Sequence, residues 1–297
     1  MMAGRARVAL VTCAELPDAD PDDRKVLYPL TRRGIDTEIV VWDDKSVDWD
    51  KYQLVVLRSV WDYVRRRDEF LQWVGTVPRL VNPADVVRWN TDKRYLLQLA
   101  NLGLSVVPTT WLEPGDASVL PAAGEFVVKP SVGAGSLDTG RYHAEDPELV
   151  AKARAHANRL LAARRTVMVQ PYLSDVDTKG ETALLYFGGS FSHSVKKAAM
   201  LAGPVRQIDG LYQPEEITPH QPTAAELAMG ERVLAAVPGG ADRLLLYARV
   251  DLIPTATGPV VLELELTEPS LFFAHAQGAA ERFADAVAAA LEPAKRP

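Results

Sequence analysis

The chain has 297 residues, 47% apolar and 24% charged, a globular balance with enough length for two or three packing units. Its net charge of −6 argues against nucleic acid or an anionic membrane as partner. Cys13 is the one cysteine, which excludes a disulfide framework or a cysteine zinc site within the chain, and no apolar run reaches the ~18 residues of a membrane helix.

The first ninety residues alternate strand and helix signals. "RVALVTC" (7–13) reads as a strand rather than a signal peptide, with Cys13 in the core. Residues 20–34 carry apolar positions at helical spacing, acids at the start and Gly34 as a stop. Strand patterns follow at 35–42 and 52–59, then a helix at 66–77 and a short strand at 79–82. This alternation predicts a parallel α/β sheet covered on both faces. No GxGxxG follows the first strand, which disfavours the usual dinucleotide fold. Residues 90–103 predict one helix, capped by Thr91 and ended by Gly103. An extended stretch (105–112) and a Pro/Gly/Ala-rich linker (113–124) lead to the strand "EFVVKPS". Further on come a helix (146–164), a strand (166–173), a hairpin turned at Gly188-Gly189 (180–199), a loop (200–222) and a helix (223–237). Two strands joined by "TATG" and an Ala-rich helix (274–293) complete the chain.

The chemistry concentrates in "YARVDLIPTATGPVVLELELTEPS" (247–270). Side chains alternate faces along a strand, so Arg249 and Asp251 share a face, as do Glu263 and Glu265. Paired as a hairpin, they bring three carboxylates and an arginine together. Burying such carboxylates unpaired costs several kcal/mol. A hard divalent cation resolves the conflict, and Mg²⁺ commonly shares its shell with phosphate oxygens. An exposed acidic strand is the plainer alternative. The second signal is "FVVKPSVGAGSLDTG" (126–140). Lys129 on a strand can neutralise phosphate charge, and a loop containing Gly133 and Gly135 lets backbone amides approach it. No GK[ST] follows, so this is not a Walker A loop.

In these segments the chain resembles the ATP-grasp superfamily of carboxylate–amine ligases, in order and over nearly its whole length. The resemblance implies an α/β ATP-grasp fold. An N-terminal α/β domain (1–90) precedes two α+β subdomains, a central one with the phosphate loop (91–172) and a C-terminal one with the metal site (173–297). It implies ATP and Mg²⁺ as cofactors. Lys93 and Lys129 would be the nucleotide lysines, with Gly133, Gly135 and Ser136 in the phosphate loop. Gln170, Tyr172 and Leu173 would lie at the adenine hinge, and Glu181, or Asp177 instead, on the ribose. Asp251, Glu263 and Glu265 would be the metal ligands, with Glu265 where many members carry Asn. Arg249 would stabilise the transferring phosphoryl group. The implied reaction activates a carboxylate as an acyl phosphate, which an amine then attacks.

"RSVWDY", "SHSVKK" and "ELELTEPSLFF" are similar to the small ATP-grasp branch that contains the D-cycloserine-forming cyclo-ligase, which closes O-ureido-D-serine intramolecularly. Arg58, Trp61, Asp62 and Tyr63 follow directly after a strand, where open parallel sheets place ligand contacts. Together with His193, Lys196 and Arg206 they form the candidate substrate set. The expected partner is a small amino-acid-like molecule, the expected setting a cytoplasmic monomer or homodimer. An intermolecular dipeptide or glutathione-like ligase, or an ATP-binding regulatory protein without activity, are the competing readings.

Overall fold

The computed structural model describes residues 5–201, 216–240, 243 and 245–292. The first unit is a four-stranded sheet ordered β2-β1-β3-β4, built from β1 (Ala6–Thr12), β2 (Ile35–Val41), β3 (Leu54–Ser59) and β4 (Leu80–Val81). All its pairings are parallel. β3 is buried at every position, as both faces of a parallel sheet require. Around it lie α1 (Leu27–Arg32) and α2 (Arg67–Val74), followed by α3 (Ala84–Asn90) and α4 (Tyr95–Asn101).

The expected helix at 90–103 is instead α3 and α4 separated by a turn. Thr91 closes α3: its hydroxyl lies 3.3 Å from the Arg88 carbonyl and accepts from Arg67 Nε at 3.0 Å. The Asp92 carboxylate accepts the Arg94 N–H at 3.1 Å, an Asx turn that competes with helix continuation. Lys93 therefore stands in a turn, and its N–H donates to Ser131 O at 2.9 Å, tying that turn to the glycine loop.

The second unit is an antiparallel sheet ordered β5-β8-β6-β7, from β5 (Thr110–Leu112), β6 (Glu125–Pro130), β7 (Gly140–His143) and β8 (Val167–Pro171). It packs on α5 (Pro147–Ala162), whose Asp146 cap accepts the N–H groups of Glu148 and Leu149. The third unit begins with the short α6 (Asp175–Lys179) and contains β9 (Glu181–Phe187), β10 (Ser190–Lys197), β11 (Ile217–His220), β12 (Tyr247–Thr255) and β13 (Gly258–Glu265), ordered β11-β10-β9-β12-β13 and antiparallel throughout. α7 (Ala224–Ala235) and α8 (Ala279–Leu291) flank it. Residues 200–222 were expected as loop; 217–220 are β11, and 202–215 fall outside the described residues.

The cores cut across the expected divisions at 90/91 and 172/173. One face of the five-stranded sheet (Ala183, Leu185, Phe187) shares a cluster with Val8, Leu10 and Val56 of the first unit and with α8. The other face packs on α4 through Tyr95, Leu96 and Leu99, so α4 belongs with the third sheet and not with the central one. The first unit keeps a second core of its own, built on Val11, Trp42, Leu57 and Phe70, and the middle sheet and α5 keep another. Among the described residues no helix is long and apolar enough to cross a membrane.

Two buried histidines link this packing to pH. His156 on α5 has Nδ1 3.0 Å from the Tyr142 hydroxyl, and His193 on β10 has Nε2 3.0 Å from the Leu271 carbonyl. Burial pushes both down to about 4. A depressed histidine pKa means that the unfolded chain binds the extra protons, so stability is lost as pH falls from about 6.5 towards 4. Unfolding free energies measured in urea should drop between pH 7 and 5 by on the order of 1–2 kcal/mol per histidine. His156→Gln combined with His193→Gln should flatten that slope.

Candidate active site

A cleft of about 560 Å³ runs between the middle sheet and the five-stranded sheet. The first unit adds Asp20, Asp22, Lys25, Trp61 and Tyr63 to its lining. The chemistry sits where β12 and β13 pair. Arg249 stands opposite Glu265 and Asp251 opposite Glu263, with a bulge after Asp251. Because both pairs lie on one face, the expected convergence of Arg249, Asp251, Glu263 and Glu265 is present, and all four line the cleft.

Each of these carboxylates faces a cation. Asp251 is held by Arg249 Nε at 3.0 Å and by Lys197 Nζ at 2.9 Å. Glu263 is 2.8 Å from Lys93, Glu265 is paired with Arg249, and Glu181 is 2.9 Å from Lys197. Burial pushes the Asp251 and Glu263 carboxyls up, but Arg249 and Lys197 outweigh it at the first, and Lys93 and Lys129 at the second; both stay below the usual carboxylate range. Glu265 goes the other way. Burial, aided by Glu263, Asp251 and Glu268, pushes it up to about 8 against the pull of Arg249.

Among the described residues no group of three or more His, Cys, Asp or Glu side chains is arranged to hold a metal ion. The expected set Asp251, Glu263 and Glu265 is drawn instead into separate ion pairs, because the neighbouring lysines and arginine reach each carboxylate first. The donor chemistry still suits a hard cation: every donor is a carboxylate oxygen, and burial, with the neighbouring carboxylates Glu263, Asp251 and Glu268, raises the Glu265 carboxyl.

Lys129 closes β6 and is almost fully buried. It makes no hydrogen bond or ion pair among the described residues, and burial lowers its pKa. A buried ammonium lining a cleft without a partner is an anion site by its own electrostatics. The loop after it, residues 131–139, carries Gly135 at φ 57° and Ser136 at φ 58°. Gly133, Gly135 and Ser136 all line the cleft. Lys93 Nζ donates to the Gly133 carbonyl at 2.6 Å, so one lysine touches both the loop and Glu263. Gln170, Tyr172 and Leu173 line the hinge end. Gln170 Nε2 donates to Thr109 Oγ1 at 2.8 Å. Glu181 lines the cleft, whereas Asp177 is taken up by the Tyr172 hydroxyl and Arg141.

The candidate substrate set divides. Trp61 and Tyr63 line the cleft. Arg58 does not: it is 1% exposed, paired with Asp23 at 2.8 Å, and donates to Pro269 O at 2.6 Å. Asp62 is likewise turned inward, accepting from Trp42 Nε1 at 2.9 Å and from Arg66. His193 shares a face with Lys197 but sits four residues further along β10, enclosed beside Leu271 and Phe187. Lys196 points to the opposite face, onto Thr182 and Glu226. These four are structural rather than cleft residues, and Arg206 lies outside the described residues. Lys197 and Glu268, outside the expected set, are in the lining. Strand alternation puts Lys197 on the His193 face; which end of β10 meets the cleft was not legible.

The family described as D-cycloserine synthetase DcsG, N-terminal domain, matches residues 8–82. The cycloserine biosynthesis protein DcsG of Streptomyces lavendulae is 39% identical over 303 residues, 96% of this chain and 99% of that protein. The chain belongs to the DcsG family. The crystal structure of D-cycloserine synthetase DcsG superposes with a TM-score of 0.87 at 37% identity, covering 97% of this chain and all of the other. D-alanine–D-alanine ligase from Bacillus anthracis shares the fold more distantly, with a TM-score of 0.64 at 15% identity over 96% of this chain and 97% of that one. The fold of this DcsG-family chain is ATP-grasp.

Two outcomes separate binding residues from structural ones. Lys93→Ala and Lys129→Ala should each weaken ADP binding in calorimetry by about 1–3 kcal/mol, the scale of a lost charge-assisted contact. Arg58→Leu should leave ADP affinity unchanged while destabilising the fold by roughly 3–5 kcal/mol, because it strands the buried Asp23 carboxylate.

Proposed function

We propose that this protein is an ATP-dependent carbon–nitrogen ligase that closes O-ureido-D-serine to D-cycloserine. The observation that carries the reading is the 39% identity to a cycloserine biosynthesis protein over nearly the full length of both chains. The cleft chemistry agrees with it. Lys129 offers an unpaired buried charge to phosphate oxygens, Lys93 stands beside it, and the amides of 133–136 border the same space. The adenine would lie against Gln170, Tyr172 and Leu173, with Glu181 on the ribose.

Arg249 would steady the transferring γ-phosphoryl group and then the tetrahedral intermediate. Asp251, Glu263 and Glu265 would hold Mg²⁺, which supplies charge neutralisation at the phosphate oxygens when bound. A substrate carboxylate oxygen attacks the γ-phosphorus, and ADP leaves. The resulting acyl phosphate is attacked by the oxygen-bound ureido nitrogen of the same molecule, expelling inorganic phosphate; water then removes the carbamoyl group from that nitrogen as carbamate, which breaks down to CO2 and ammonia. No side-chain nucleophile is required; positioning and charge neutralisation carry the rate. The glycine loop, closed over the phosphates, keeps water from the acyl phosphate. Dependence on ATP points to the cytoplasm as the place of reaction.

The discriminating measurement is phosphate release from Mg-ATP with O-ureido-D-serine and no added amine. Turnover under those conditions is expected, and Glu263→Gln should abolish it while leaving the fold intact. Release that requires a second, separate amine would overturn ring closure in favour of intermolecular ligation.

A further inference from the structure

Glu268 is buried in the cleft lining three residues beyond the β13 carboxylates, and the reading above leaves it without a role. It belongs to a short segment clamped against the first unit. Its carbonyl accepts Trp61 Nε1 at 3.0 Å, and the carbonyl of Pro269 accepts Arg58 Nη2 at 2.6 Å. Tyr63 and Glu268 line the same cleft, and the Tyr63 hydroxyl acts on the Glu268 carboxyl group to favour its charged form. Unlike Asp251, Glu263, Glu265 and Glu181, Glu268 makes no ion pair among the described residues. The nearby cations are committed elsewhere: Lys93 to Glu263, and Arg249 to Asp251 and Glu265.

We propose that Glu268 is the general base of the ring-closing step, with Tyr63 as the residue that positions it. The assignment rests on the ligase reading above. In the step, the attacking nitrogen loses its proton to a Glu268 carboxylate oxygen. The C–N bond forms at the acyl carbon, the C–O bond to phosphate breaks, and inorganic phosphate leaves with the electron pair. A base for this step must accept a proton near neutral pH and must not be held in an ion pair. Burial pushes Glu268 up to about 7, with the Tyr63 hydroxyl, Lys93 and Arg249 opposing and Glu263 reinforcing. Glu265, on β13, also interacts with it, and Asp20, Asp22, Lys25 and His275 line the same cleft. Clamping by Trp61 and Arg58 fixes the segment, which a base needs if its oxygen is to meet a particular N–H.

The two half-reactions can be read separately on the full chain with O-ureido-D-serine and Mg-ATP. Hydroxylamine traps the acyl phosphate as a hydroxamate and reports activation alone; the summed ring product, cycloserine with its N-carbamoyl precursor, reports activation and closure. Glu268→Gln should keep the trapped hydroxamate within about threefold of wild type and lose ring closure by roughly 100-fold or more, the usual scale for a general base. Glu268→Asp should recover part of it. In wild type, kcat for ring closure should fall as pH drops below about 7. Tyr63→Phe removes the hydroxyl that favours the Glu268 carboxylate, so that limb should move to higher pH, which loss of packing alone would not produce. Equal losses of hydroxamate and ring closure in Glu268→Gln would overturn the assignment. So would a rise in KM with kcat intact, the behaviour of an ammonium anchor, or an unmoved limb in Tyr63→Phe. Absence of hydroxamate in the wild type would overturn the ligase reading itself, and this assignment with it.

Discussion

The register between β12 and β13 is the constraint on which the cleft depends. It sets Arg249 across from Glu265 and Asp251 across from Glu263 on a buried face. A carboxylate taken out of water there costs several kcal/mol unless it is paired. The chain meets that cost from three directions: Arg249 from the same strand as Asp251, Lys197 from β10, and Lys93 from the turn before α4. Slipping β13 by one residue would turn Glu263 and Glu265 onto the apolar face that packs against α4, away from Arg249 and Asp251.

Side chains from the first ninety-five residues hold that register. Asn82 donates to Tyr247 O at 2.9 Å and to Leu266 O at 2.8 Å, and accepts the Leu246 N–H. Asn90 donates to Leu264 O and accepts the Leu266 N–H, both at 2.7 Å. The Tyr95 hydroxyl accepts the Leu264 N–H at 2.9 Å. β13 is the edge strand of its sheet, so these groups satisfy backbone that would otherwise lie open, and they do so beside the cleft carboxylates. Geometry at the site and attachment of the N-terminal unit are thus one set of hydrogen bonds. This also explains why the cores do not follow the expected domain boundaries.

Much of the fold was legible because its signals are local. Alternating apolar runs marked the parallel sheet, Gly188-Gly189 marked the β9–β10 turn, and "ARVD" facing "ELEL" marked the hairpin that carries the charges. The break at Thr91–Arg94 was hidden because a strong apolar stripe continues through it; only the Asx turn at Asp92 and the bond from Lys93 N–H to Ser131 O, made across the fold, stop the helix. The substrate set failed for a related reason. Position after a strand end brought Arg58 and Asp62 forward, but Asp23 and Trp42, distant in sequence, turn both inward. Glu268 carried no pattern of its own: its importance comes from what it lacks, an ion pair, and that is visible only in three dimensions.

The lysine at the end of β6 and the glycines after it have different mechanical roles. Lys129 is paired with Met168 of β8, so its backbone is held in the sheet. The loop beyond is anchored at both edges. Arg165 reaches the Val132 carbonyl at 2.9 Å and Asp138 at 2.5 Å, and Arg159 holds Asp138 at 2.8 Å. Between those anchors Gly133, Ala134, Gly135 and Ser136 have small side chains and, at Gly135 and Ser136, left-handed backbone. In the proposed ligase reading the strand lysine draws the phosphates while a short tethered span folds over them. Placing Lys93 Nζ on the Gly133 carbonyl couples the two, because the ammonium that pairs with Glu263 also holds the loop's first glycine. Any anion that draws Lys93 away from Glu263 therefore shifts the loop and the carboxylate together. That coupling gives the cleft a physical route from nucleotide binding to rearrangement of the charges on β13.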